Sequence, residues 1–437
     1  MAKTVTLRDA VHGDIRLTAE EASLVDTPEF QRLRGIRQLG AAFLVYPTAA
    51  HSRFEHSLGV CHLMARLVEA VNSHSESDQR LSPEEARVLR LAALVHDVTH
   101  VPFGHTFEDE RRLFPRHDEG PRAAHFLLGP GSELASRLAA TGVADQVAAL
   151  LLPQGEPTDG YLGDFTSGAL GADLLDYIKR DLLFTGFRQD FDERIFQSYM
   201  LRGGRVALNL TKRGILRDDA LSEVMNLLRL RYQLTERVYF HHAKVSAGAM
   251  VSKAVECASG LREEDLLGLT DYELLHELRT TFGTTVSRRM VEGLLSRRLY
   301  KRAYLISYTS AATRGIQEML VSEYHQSAVR RAETEAALER AAGLPEGAVL
   351  IYCPSLRMSF KEASVPVSLP GHPLIALNAS EAVHPARLEL YALQERYRQL
   401  WRFTVLLSPE HLDRQPALAA ACAERFGTPS DLMVGSA

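Results

Sequence analysis

A mainly α fold, with a helical core followed by a small C-terminal α+β subdomain, is predicted from three observations. Apolar residues recur at helical spacing over residues 1–344, helix-start signals punctuate that stretch, and short β-rich runs replace the pattern after residue 345. Thr27-Pro28 fits an N-cap followed by proline at the first helical position, opening a helix through Phe30, Leu33 and Ile36. Ser82-Pro83-Glu84-Glu85 is a fuller start signal, with Ser82 as cap and Glu85 placed to complete a capping box. Behind it Val88, Leu91, Ala92 and Val95 mark one buried face, running into His96-Asp97 and stopping before Pro102. Further helices are expected over 218–259, with a break near His241, and over 315–342, ending at Gly343 and Pro345. Beyond these, Val349–Cys353 and Phe403–Leu407 have the composition of strands, and Val365-Pro366-Val367 that of an edge strand. A helix around 386–401 and another opened by Ser408-Pro409 complete the expected 345–437 subdomain.

The chain of 437 residues exceeds the usual single-domain size, and its 46% hydrophobic and 24% charged content is that of a globular enzyme. A formal net charge of -5 excludes global attraction to nucleic acid, so strong nucleic-acid binding is not expected and any polyanion must meet a local patch. Cys61, Cys257, Cys353 and Cys422 lie far apart with no CxxC spacing, as expected of small core residues in a reducing compartment. The charged N-terminus MAKTVTLRD lacks the apolar run of a signal peptide, and no stretch approaches the ~20 apolar residues of a membrane span. A cytoplasmic protein without membrane association is the expectation.

Five of the 17 histidines fall between residues 96 and 125. His96-Asp97 end an apolar helix, His100 follows one turn later, and His56 stands at the start of another apolar helix with Leu58, Cys61 and Leu67. Downstream, Asp173, Asp176 and Asp181 punctuate a third apolar stretch. Charges on buried helix faces are costly unless paired or bound to a cation. Taken singly, each histidine is adequately explained as a satisfied core group or helix cap. Two imidazoles and two carboxylates from three helices would instead satisfy one divalent ion and leave positions for water and phosphate.

The runs Leu33-Arg-Gly-Ile-Arg-Gln38-Leu-Gly, His51-Ser-Arg53-Phe-Glu-His56-Ser-Leu-Gly, His96-Asp97-Val-Thr-His100-Val-Pro-Phe-Gly-His105 and Asp173…Asp176-Tyr177…Arg180-Asp181 together resemble the HD-domain deoxynucleoside triphosphate triphosphohydrolases. The likeness is to the catalytic core of the vertebrate sterile-alpha-motif/HD enzyme and its bacterial relatives. It is dense over residues 5–245 and faint beyond, and no sterile-alpha-motif domain is expected ahead of it. The resemblance implies hydrolysis of a dNTP to deoxynucleoside and triphosphate, with water activated by a divalent ion attacking the α-phosphorus. It assigns His56, His96, Asp97 and Asp173 to a transition metal (iron, manganese or zinc), with magnesium accompanying the nucleotide. His105 matches the proton donor to the leaving 5′-oxygen. Glu108 stands in place of an orienting Asp, and His100 and His117 match phosphate-side histidines. Gln38 and Asp181 match contacts to the 3′-hydroxyl, Tyr177 the ring under the deoxyribose, and Arg53 and Arg237 phosphate contacts.

Two departures are visible. Leu174 replaces a phosphate-binding lysine, which leaves open another phosphate ester as substrate, such as a nucleoside monophosphate or a signalling nucleotide. Asp26, Gln31 and Arg34 resemble a segment that reads an activating guanine nucleotide, but Val5 and Arg8 replace its flanking lysine and asparagine. A homo-oligomer, dimer or tetramer, is a further implication of the resemblance. A non-catalytic nucleotide sensor or nucleic-acid scaffold on the same fold is the alternative from another class, and the intact polar set on buried faces argues against it.

Overall fold

The computed structural model describes residues 4–108, 111–152, 161–166, 170–308, 314–356, 361–379 and 383–432. It is mainly α with small sheets. Three helices frame the site: α1 (Arg53–His74), α2 (Pro83–Val95) and α3 (Ala172–Thr185). Helix α2 starts as its sequence dictates, since Ser82 Oγ accepts from Glu85 N and the Glu85 carboxylate accepts from Ser82 N. Leu174, Leu175, Ile178 and Leu182 of α3 enter one apolar core with Leu63, Met64 and Leu67 of α1. Val88, Leu91, Ala92 and Val95 of α2 enter a second core with Leu58 and Cys61. The two helices that present histidines are thus wedged between cores, which fixes their facing ends.

The long stretch after residue 217 divides as its break predicts, into α4 (Asp218–Leu234), a π turn Thr235–Tyr239 and α5 (His242–Glu256). Three expectations need correction. Pro28 does open a helix, but it ends at Gln31 and tightens into a 3-10 turn, Arg32–Gly35, and the Thr27 hydroxyl donates to Leu24 O instead of capping. The turn closes against Thr270, and its last position must be glycine because a Cβ at Gly35 would lie 2.3 Å from the Thr270 side chain. The stretch expected at 315–342 is interrupted by a π turn, Val321–His325, and restarts as α6 (Ala328–Ala342) under a Ser327 cap.

The third correction concerns the sheets. Strands β1 (Tyr199–Arg202) and β2 (Arg205–Asn209) form one sheet with β3 (Pro366–Ser368) and β4 (Ile375–Ala376), in the order β4-β3-β2-β1. The expected edge strand is therefore an inner one, parallel to β2 at Val367↔Leu208 and antiparallel to β4 at Val367↔Ile375. Pro366 is tolerated because it is the first residue of the strand. A second sheet places β5 (Arg402–Leu407) between β6 (Lys301–Ser307) and β7 (Val349–Tyr352). Both sheets join residues from before and after position 345. Beside β5, buried Trp401 donates its indole N–H to Pro354 O at 3.1 Å. The four cysteines are free, and no helix of the described residues is long and apolar enough to cross a membrane.

Candidate metal centre and active-site cavity

His56 lies in the first turn of α1, His96 caps the end of α2 with Asp97 next to it, and Asp173 opens α3. His56 Nε2 is 3.0 Å from Asp173 Oδ1 and 3.8 Å from Asp97 Oδ2, and His96 Nε2 is 3.5 Å from Asp97 Oδ1 and 3.9 Å from Asp173 Oδ1. The other ring nitrogens are committed: His56 Nδ1 donates to Asp176 at 2.7 Å and His96 Nδ1 to Ala93 O at 2.8 Å. With Nδ1 committed, each ring turns its Nε2 toward the two carboxylates, an arrangement in which a divalent cation could take the place between them. Electrostatics agree with that geometry. Burial opposes charge on His56, yet the hydrogen bonds to Asp173 and Asp176 prevail and push it up to about 10. Burial also works against ionised Asp97, and Arg53, His96 and His100 outweigh it, holding the carboxyl well below its usual range. The donor set demands positive charge at this point, and it fits a metal ion.

A buried support stands behind the first set. Asp176 accepts from His56, from His12 at 2.6 Å and from Arg180, which in turn reaches Asp9 at 2.8 Å. Arg53 donates to Asp97 at 2.6 Å, while its Nε and Nη2 are buried without a hydrogen-bond partner among the described residues. Two orphaned guanidinium donors beside a candidate metal centre suit an anionic oxygen.

His100, His105 and His117 form a second cluster. His100 stacks on His117 at 3.8 Å, and both rings face His105 edge-on. Glu108 ties them together, 3.0 Å from His117 Nδ1 and 3.4 Å from His105 Nδ1, with Arg122 donating to it at 2.8 Å. Burial raises the Glu108 carboxyl, but the hydrogen bonds from His105 and His117 hold it far below its ordinary value. Burial, with Arg53 and His117 adding to it, keeps His100 neutral.

His105 also lines a cavity of about 420 Å³. Gln38, Tyr177 and Asp181 also line it, with the buried Gln38 amide oxygen lacking a partner among the described residues. Asp181 is held by His51 at 2.9 Å and by the Tyr239 hydroxyl at 2.6 Å. Arg237 is not brought to this site. It is exposed and stacks on Phe187, 5.6 Å from the ring centre. The cavity arginine is Arg231, whose Nε donates to the Tyr177 hydroxyl at 3.1 Å, and Lys244 joins it. Sequence reasoning missed both, together with Tyr352, Pro354, Ser355 and Tyr397 from the C-terminal part. One signal was available: Arg231 lies seven and eight residues before Val238 and Tyr239, hence on their side of the helix. Asp26, Gln31 and Arg34 are not cavity residues. Asp26 is exposed, while Gln31 accepts from Arg34 at 2.8 Å and Arg34 stacks on Phe54.

Comparison with known proteins places this geometry in a family. The HD domain profile matches residues 53–151, and the HD associated region profile matches residues 206–426. An uncharacterized protein of Methanocaldococcus jannaschii is 30% identical over 312 residues, covering 69% of this chain and 60% of that protein. The deoxynucleoside triphosphate triphosphohydrolase SAMHD1 of Homo sapiens is 28% identical over 295 residues, covering 60% of this chain and 45% of that enzyme. The chain thus spans at most about three fifths of these curated relatives. A crystal structure of a hypothetical protein from Aquifex aeolicus shares the fold, with a TM-score of 0.68 at 21% identity over 95% of this chain and all of that one. With its histidine–aspartate cluster at the junction of three helices and the associated region built onto them, the chain belongs to the HD-domain family.

Proposed function

We propose that the protein is a metal-dependent phosphohydrolase that converts deoxynucleoside triphosphates to deoxynucleoside and triphosphate. The observation that carries this reading is the position of His105: it borders the nucleotide-sized cavity and sits against Glu108 in the histidine cluster next to the metal centre. His56, His96, Asp97 and Asp173 would hold iron, manganese, zinc or magnesium. Such an ion supplies Lewis acidity to a phosphoryl oxygen and makes water a nucleophile near neutral pH. Arg53, pinned by Asp97, offers Nε and Nη2 to the α-phosphate. Glu108, kept ionised, faces His105 Nδ1 and orients the ring that delivers a proton to the leaving 5′-oxygen. Gln38 and Asp181 position the 3′-hydroxyl, Tyr177 lies beneath the sugar, and Arg231 and Lys244 take the phosphate role assigned to Arg237 from sequence. An activating nucleotide near Asp26, Gln31 and Arg34, and a homo-oligomer, belong to the same proposal.

The test is incubation of metal-analysed protein with each of the four dNTPs, with and without Mn²⁺ and a guanine nucleotide, with products resolved by chromatography. Deoxynucleoside plus intact triphosphate is the expected result, and it should vanish with bound metal in the H96A/D97A variant while helical content persists. Full activity in that variant would overturn the reading. A second reading, hydrolysis of a different phosphate ester, is favoured by Leu174, which is buried in the apolar core and supplies no charge. Metal-loaded protein that spares all four dNTPs but cleaves a nucleoside monophosphate would establish it.

A further inference from the structure

The segment that carries His105, Glu108 and His117 has little regular structure to hold it. Between His100 and the helix beginning at Gly120, the described residues include one 3-10 turn, Gly104–Thr106. Two non-glycine residues here adopt left-handed backbone conformations, Phe103 at φ 60° and Arg112 at φ 47°. Such conformations persist only where the surroundings over-determine them. The surroundings come from the HD associated region. Buried Asp271 accepts from Phe103 N at 2.8 Å, and the Ser252 hydroxyl donates to Thr106 O at 3.3 Å.

The strongest anchor lies next to Arg112. Arg111 is fully buried and donates to Glu335 Oε1 with both terminal nitrogens at 3.1 Å, to Glu256 Oε2 at 2.8 Å and to Ile351 O at 3.1 Å. Arg331 bonds Glu256 Oε1 at 2.9 Å and also the Arg111 carbonyl at 3.0 Å, so side chain and backbone of one loop residue are both gripped. Lys253 donates to Glu335 Oε2 at 2.8 Å. Three cations thus surround two carboxylates, all within the molecule and none at the cavity. An ionic cluster so deeply buried is weak evidence for stability, because desolvation cancels much of its attraction. Its hydrogen bonds are directional, however, and every bond Arg111 makes constrains where the segment from Glu108 onward can sit.

We infer that Arg111, Arg331, Lys253, Glu256 and Glu335 form a positioning cluster by which the HD associated region sets the geometry of the His105–Glu108 pair. The inference rests on the role proposed above for that pair. Loss of the cluster lets the pair drift while the metal ligands, which sit on α1, α2 and α3, stay in place.

The experiment compares E335Q, R111M and R111K with wild type in kcat, KM, bound metal and amide hydrogen exchange over residues 103–118 and 172–185. In E335Q and R111M, kcat should fall on the order of 10- to 100-fold, the effect of a roughly 1 Å misplacement. KM and metal content should stay within about twofold of wild type, and R111K should recover part of the loss. Exchange should accelerate about tenfold or more over 103–118 and remain unchanged over 172–185. Unchanged kcat and exchange in folded E335Q would overturn the inference. So would metal, KM and both exchange segments failing together, which would mark a merely structural role. If R111M does not fold, E335Q, which keeps the shape of the carboxylate, carries the comparison. If wild type turns over no nucleotide, bis(p-nitrophenyl) phosphate serves as kinetic probe and the exchange measurement stands without any substrate, so failure of the functional reading remains distinguishable.

Discussion

Asp176 touches neither the cavity nor the centre of the metal set, yet it accepts from His56 Nδ1, His12 and Arg180. That bond fixes which nitrogen of His56 faces the candidate metal centre, and the charge behind it would make the imidazole a better donor to an ion held there. Asp176→Asn should therefore weaken metal retention by about 10- to 100-fold. Metal analysis after dialysis against a graded chelator checks this, and undiminished retention would count against the orienting role. Leu174 poses the converse case. Its side chain packs in the apolar core, so Leu174→Lys should cost stability, about 2 kcal/mol or more in a denaturant titration, as expected for a charge forced into apolar surroundings. The candidate metal-binding set was legible in the sequence because a divalent ion needs those residue types, and the fold brings His56, His96, Asp97 and Asp173 together. Arg231 was harder to single out, since Arg237 stands six residues on, and its place in the π turn and its packing on Phe187 show which of the two turns away.

Among the elements, α2 is the one best explained by local chemistry. Its capping box satisfies two N-terminal N–H groups, its apolar stripe is buried, and it delivers His96 and Asp97 at its far end. Ser82→Ala should cost about 1 kcal/mol, the usual value for a lost N-cap. Thermal unfolding should register that cost while metal binding and turnover at ambient temperature stay unchanged, because the cap lies at the opposite end from His96. Helices of this kind were readable from periodicity. Strands β1, β2 and β4 were not, since each has only two to five residues and β2 finds its partner β3 more than 150 positions away. The β3 segment was recognised as a strand but placed at an edge, because proline forbids an inner position only where its N–H would be needed.

For the molecule as a whole, the mixed sheet and the antiparallel one both tie the two parts of the chain together, so neither part is complete alone. A fragment ending at residue 344 would strip β2 of β3 and β6 of β5, exposing apolar strand faces. It should show no cooperative thermal transition and should aggregate; a fragment that melts cooperatively as a monomer would refute the coupling. Stability should also depend on pH through Glu339, which accepts from Val349 N at 3.0 Å at the start of β7. Burial, reinforced by Glu335, raises its carboxyl from 4.5 to about 7. The folded state therefore holds this proton more tightly than the unfolded one, and its contribution is present below pH 4.5 and lost as pH rises to 7. The full shift corresponds to roughly 3 kcal/mol. Glu339→Gln should match wild type near pH 4.5 and exceed it by about 2–3 kcal/mol at pH 8 in denaturant titrations; a constant difference across that range would refute the assignment.

Trp401 is the chain's one tryptophan, and its indole is bonded to the carbonyl of Pro354, a residue of the cavity wall. The protein thus carries a single tryptophan hydrogen-bonded to the rim of the candidate site's cavity. Under tryptophan-selective excitation, emission from that ring should respond to a ligand entering the cavity of unlabelled protein, and during unfolding it should follow the surroundings of the C-terminal sheet, whereas far-ultraviolet dichroism follows all the helices together.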